Sequence, residues 1–149
     1  MDETILTIHI LSAAAWIGAS MFFAFAGPRF AKAGGPPAIT WIGIVIEAVR
    51  KFLVPAALLT AISGMVLVAT QDQWQWSDGF VSIGLAVFVV VLGIGTGFNL
   101  PNLKKIQRYA ADGDFPAVAA TARKVARAGA LMILLLVFAE VAMVFRLGA

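Results

Sequence analysis

From Ile5 to Ala26 the chain runs for 22 residues without an acid, a lysine or an arginine. Coiled at about 1.5 Å per residue, that stretch reaches ~33 Å, enough to cross a hydrocarbon core of roughly 30 Å. It also carries the only histidine in the sequence, His9. An imidazole inside a membrane span is costly to bury and is a functional candidate by default. Ala24-Phe25-Ala26 has the form of a signal-peptide cleavage site. The residues ahead of the apolar run are acidic (Asp2, Glu3) and the run is longer than a signal peptide's core, so the segment is expected to be retained.

The remaining composition agrees with a membrane protein. Of 149 residues, 61% are hydrophobic and 13% charged, with a mean hydropathy of +0.94. Soluble domains carry roughly 25% charged residues, about twice as many. The length suits one bundle over 1–149 and no second domain. The absence of cysteine excludes disulfides, thiolate metal sites, iron–sulfur clusters and c-type haem attachment. A net charge of +3 is poor evidence for a nucleic-acid partner, and none is expected.

Taken in order, the pattern predicts an all-α, four-span antiparallel bundle with spans at about 4–27, 52–70, 79–99 and 127–145. In the first, Ser12, Ala13, Trp16 and Ser20 share a stripe with His9, so His9 faces the bundle. This helix is expected to open near Asp2 to Thr4 and to end near Gly27-Pro28, before the break AKAGGPPAIT. A second helix, from about Ala38 to Thr70, reaches ~50 Å and must extend beyond the bilayer. Its first half carries Glu47, Arg50 and Lys51, and Pro55 permits a kink. Thr60, Ser63 and Gly64 form a small polar stripe that should face inward, with Leu67 continuing it.

The segment QDQWQWSD, 71–78, reads as an interfacial loop in which Ser77 or Asp78 caps the third helix. That helix, Gly79 to about Asn99, contains Gly93 and Gly97, a G-x-x-x-G pair suited to close approach of another helix. The glycine run is no nucleotide fingerprint, because no strand precedes it. Pro101 should close the span, leaving KKIQRYAADGD as a hydrophilic loop. Asp114 is the expected N-cap of the fourth helix, which carries Arg123, Lys124 and Arg127 early and a single acid, Glu140, in its apolar part.

Ten of the eleven basic residues flank the first and third connections, and only Arg146 lies elsewhere. The positive-inside rule then places both connections in the cytoplasm and both termini outside, with cytoplasmic extensions of helices two and four. A salt bridge from Glu47 to Arg123 or Arg127 would join those extensions. The expected location is a bacterial inner membrane, with the bilayer as first partner.

Counting inward from the outer ends brings His9, Met65, Ser82, Glu140 and Met143 to one layer. His9 can hydrogen-bond Glu140 or a backbone carbonyl and hold the bundle together. It can ligate haem b through a ring nitrogen, or join Met65 and Met143 around Cu(I), for which thioether and imidazole are suitable donors. It can also relay protons with Glu140. A lone carboxylate inside the bilayer should be neutral or paired, and Glu140 is expected to contact His9 or a hydroxyl. With one histidine and no cysteine, enzyme motifs are otherwise absent.

The spacing H-x6-W-x-G in HILSAAAWIG, His9 to Gly18 with Trp16, resembles the first helix of the CopD-type membrane family named for copper-resistance proteins. VRKFLVPAALLTAISGMVLV in helix two is similar as well. The resemblance implies a four-helix membrane fold, relatives among the HemJ-type protoporphyrinogen oxidases, and His9 as the haem-binding position. The lysine that the HemJ pattern places at the start of helix three is absent from SDGFVSIG, which argues against the oxidase activity. The combined reading is a non-enzymatic CopD-like protein with an outer pocket around His9, Trp16 and Glu140 for haem, or around His9, Met65 and Met143 for copper. A HemJ-like oxidase is one alternative. A structural subunit or homo-oligomer docking through Gly93 and Gly97 is the other.

Overall fold

The computed structural model describes residues 3–71 and 73–149. Asp2 and Asp72 lie outside them. Helix α1 covers Glu3–Ala33. Gly35–Thr70 is one long rod made of α2 (Gly35–Ala48), a π turn (Val49–Leu53) and α3 (Val54–Thr70). The next rod joins α4 (Gly79–Gly93), a second π turn (Ile94–Asn99) and α5 (Leu100–Ala111), and α6 spans Phe115–Val144. No strand occurs among the described residues. Four helices are long and apolar enough to cross a membrane. The protein is an all-α, multi-pass membrane protein.

Both π turns end two residues before a proline, Pro55 and Pro101. A proline ring clashes with the carbonyl four residues back and supplies no N–H, and widening the preceding turn lets the rod continue past it. Pro101 therefore does not close the third span. It begins α5, whose Leu103, Ile106 and Ala110 share a buried stripe. The segment expected as a hydrophilic loop is a helix because this stripe packs beneath Ile42 of α2 and Val118, Ala122 and Val125 of α6. The extension beyond the bilayer thus belongs to helices two, three and four.

The first helix likewise passes through Pro28. Arg29 donates to Phe25 O at 2.9 Å and lies over the Phe25 ring, 3.9 Å from its centre. The next residue, Phe30, stacks on Trp41 with ring centres 4.4 Å apart. These contacts hold the last turn against α2 until Gly34 and Gly35, both at positive φ, reverse the chain. Glu47 pairs with Lys51, one turn along its own helix, and not with Arg123 or Arg127. The nearer lysine wins because both partners sit on one exposed helix face. Lys51 holds the Glu47 carboxyl below the usual range. The small support this gives is present above that range and is lost as pH falls through it. Asp114 caps α6 as expected, accepting from Ala117 N at 3.0 Å. Asp78 occupies the N-cap of α4, but its carboxylate turns back to accept from Gln75 N.

Small residues bring the spans together. Ala57 and Ala142 are fully enclosed, and Trp16, Val87, Val91, Leu136 and Ala139 complete the central core. The outer faces of the same helices expose Leu11, Phe25, Val89 and Leu134, as a lipid-facing surface should. At the end of α6, Arg146 N bonds Met143 O and Leu147 N bonds Ala142 O, a Schellman cap with Arg146 where glycine is usual. Arg146 is left-handed, φ 48°, a conformation that costs an L-residue about 1–2 kcal/mol. The cap is fastened by Gly79 N donating to Gly148 O at 2.9 Å. Gly79 and Gly148 touch at the backbone, where a Cβ on Gly79 would come 2.7 Å from Leu147 O.

Ala142→Leu should overpack this core and cost about 1–3 kcal/mol, whereas Val89→Leu, on the lipid face, should be neutral. Thermal unfolding in detergent checks both, and equal effects would mean that the two faces are misassigned.

Candidate functional site

His9 sits six residues into α1, ~9 Å from its start, and faces α3. Its partner there is a backbone group: Nδ1 lies 2.9 Å from Thr60 O and 3.2 Å from Ser63 Oγ. The approach is possible because Gly64 has no side chain, and a Cβ there would stand 2.9 Å from His9 Cε1. Ser12 Oγ donates to His9 O at 3.0 Å, and Thr60 Oγ1 donates to Ser12 Oγ at 2.9 Å. Ser63 donates to Leu59 O within its own helix. The small polar stripe of α3 faces inward as the sequence suggested, and its partner is the His9 region of α1.

This geometry fixes a tautomer. A carbonyl oxygen only accepts, so Nδ1 must carry a proton, and in the neutral form of the ring the lone pair is then on Nε2. Nε2 makes no hydrogen bond among the described residues. The His9 ring borders a cavity of about 290 Å³ lined by α1, α3, α4, α6 and, from the connection between α3 and α4, Trp74 and Trp76. That volume is at the lower edge of the roughly 300–1,000 Å³ usual for small-molecule sites. Its walls are mainly apolar, with Trp16 and Phe88 in edge-to-face contact at the deep end.

Four of the five residues expected to share one layer line this cavity: His9, Met65, Glu140 and Met143, with Trp16 below them. Ser82 does not; it is exposed on α4. Met143 is anchored, its methyl set against α4 where a Cβ on Gly84 would lie 2.5 Å from it. Met65 is 40% exposed.

The expected contact of Glu140 with His9 or a hydroxyl is not formed. Glu140 has no hydrogen bond or ion pair among the described residues, because α3 has already engaged the protonated nitrogen of His9. Gly93 and Gly97 are exposed, and a Cβ on either would meet nothing within 4 Å, so neither receives a helix of this chain. The closest approaches within the chain are at Gly64, Gly79 and Gly84, where a Cβ would come within 2.9 Å, 2.7 Å and 2.5 Å of a neighbour. Among the described residues no three His, Asp or Glu side chains group as a metal cluster.

Sequence reasoning missed two wall residues. The Trp74 indole was assigned to the interface, yet it borders the cavity, and its Nε1 is buried with no partner among the described residues. Arg146, the one basic residue away from the basic end, lines the rim. Its isolation in the charge distribution was the available signal. The cavity also has a side opening. Helices α3 and α4 follow each other in the chain but scarcely touch, and Met65 and Leu85, one from each, are both exposed and part of the wall. The opening lies within the apolar spans, so it faces lipid.

No protein-family model, curated protein or solved structure matches the chain.

Gly64→Ala should push the imidazole off Thr60 O and cost about 1–3 kcal/mol, since the displaced N–H is left in an apolar interior. Unfolding in detergent measures this. The double variant His9→Ala, Gly64→Ala should recover most of the loss, and a full loss in the double variant would mean that Gly64 acts elsewhere.

Proposed function

We propose that this is a CopD-like protein of a bacterial inner membrane, both termini outside, that binds haem in the cavity beside His9. One observation carries the reading: Nδ1 is held by a backbone carbonyl, leaving Nε2 as a free lone pair at an aromatic, largely apolar cavity. A haem-ligating histidine needs this arrangement, because the bond at the far nitrogen sets both tautomer and ring direction. Haem asks the protein for one good nitrogen ligand and an apolar wall, and His9, Trp16 and Phe88 supply them. Bound there, the group would contribute an iron able to exchange one electron or take a small ligand. The chain's own part is to hold the imidazole, exclude water and admit a lipophilic molecule sideways between α3 and α4. The outward orientation rests on the segregation of basic residues at the opposite end of the bundle.

Copper is the second reading, favoured by the presence of Met65 and Met143 on the same wall as His9. Thioethers and imidazole suit Cu(I). Haem is preferred because the cavity is larger than a single ion requires, and because Met143 is already packed against Gly84.

Protein purified in detergent from haem-supplied cells should show a Soret band that moves on dithionite reduction. His9→Ala should abolish that band and leave the far-UV circular dichroism unchanged. A band that persists in His9→Ala would overturn the assignment. A blank spectrum with about one equivalent of copper bound, lost in Met65→Leu, would favour the second reading.

A further inference from the structure

We propose that Arg146 and the indole N–H of Trp74 form an oxyanion subsite at the rim of the cavity, which selects amphipathic ligands carrying a carboxylate. The inference rests on the reading that the cavity takes a ligand, and it goes on to name the headgroup.

The two donors come from separate segments. Trp74 belongs to the α3–α4 connection, where its Nε1 is buried and unpartnered. A buried N–H without an acceptor is rare and costly, so its retention at a cavity wall points to an acceptor that arrives with a ligand. Arg146 follows α6 and lines the same cavity. Among the described residues its side chain has no hydrogen bond or ion pair.

The backbone under Arg146 supplies an independent observation. The residue occupies the left-handed position of a Schellman cap, where glycine would be free of strain. Strain of this kind is expected where a side chain is needed at a particular place. The cap is also fixed in space, because Gly148 accepts from Gly79 at the start of α4. Arg146 is therefore held at the rim and not left on a loose tail.

Charge gives the ligand its direction. Among the described residues that line the cavity, Arg146 is the one lysine or arginine, and it stands just past the end of α6, beyond Glu140, so an anionic headgroup is attracted to the guanidinium at the rim. An apolar body then lies inward, past His9 and toward Trp16, with the lipid-facing opening as its way in. Haem propionates and fatty acids share this chemistry.

The test compares acids with their own esters: haemin with its dimethyl ester, and oleic acid with methyl oleate. Each is titrated into the full-length protein in neutral detergent and followed by tryptophan fluorescence. At least one acid should bind about tenfold more tightly than its ester, the worth of one charge-assisted hydrogen bond. Arg146→Gly should remove that advantage, leave ester binding unchanged, and keep or raise the unfolding temperature because the strain is relieved. Trp74→Phe should reduce the advantage as well.

Haemin bound through His9 with no acid preference overturns the subsite and leaves the haem reading intact. Oleate bound with an acid preference that Arg146→Gly abolishes, without haemin binding, supports the subsite and removes the haem reading. Acids that bind no better than esters in both pairs, or an acid preference that survives Arg146→Gly, overturn the proposal.

Discussion

A carbonyl oxygen has no proton to give, and that fact governs the centre of this bundle. Thr60 O can only accept, so the His9 ring at 2.9 Å must donate from Nδ1. Everything near it serves the same contact. Gly64 leaves room for the ring, Ser63 offers a second oxygen, and Ser12 ties the His9 backbone to the Thr60 hydroxyl. The net worth of one such bond is only about 1 kcal/mol, but an unmade bond in an apolar interior costs more. The contact between α1 and α3 is the most extensive among the described elements, and its hydroxyls and His9 Nδ1 are paired.

The cavity is the exception to that thrift. Glu140 and the Trp74 indole border it without partners among the described residues, whereas the hydroxyls of Ser12, Thr60 and Ser63 are all engaged. Of the two buried side-chain polar atoms without a partner among the described residues, Trp74 Nε1 lies at the cavity and Asn99 Oδ1 in the second π turn. The cavity's own lining, apolar within and with Trp74 and Arg146 at its edge, supports a ligand site with an apolar interior and a polar rim. The side opening between α3 and α4 fits the same account, since a molecule dissolved in the bilayer would enter there without crossing water.

Much of the architecture could be read from the sequence, because hydropathy and helix length are local properties. The antiparallel order then let simple counting place His9, Met65, Glu140 and Met143 at one level. What could not be read depended on contacts between distant segments. Pro28 and Pro101 look like helix ends in isolation. Phe30 stacked on Trp41 carries the first helix onward, and the buried stripe Leu103, Ile106 and Ala110 sustains α5. Gly64 could be read as part of an inward stripe, but that it makes room for the histidine ring depends on the meeting of α1 and α3. Glu140 was assigned a partner by its cost in lipid; the structure gives it a cavity instead. Arg146 was visible only as an outlier in a charge count.

His9 is the sole histidine, so its ring nitrogens give one pair of signals in protein labelled with 15N-histidine. The decisive measurement is the 15N spectrum of that ring in detergent micelles at neutral pH. The account predicts a pyrrole-type, protonated Nδ1 and a pyridine-type Nε2, with the Nε2 signal alone lost at first when haemin is added. A protonated Nε2, or fast averaging between the two tautomers, would contradict it, because the imidazole would then have no fixed lone pair to offer the cavity.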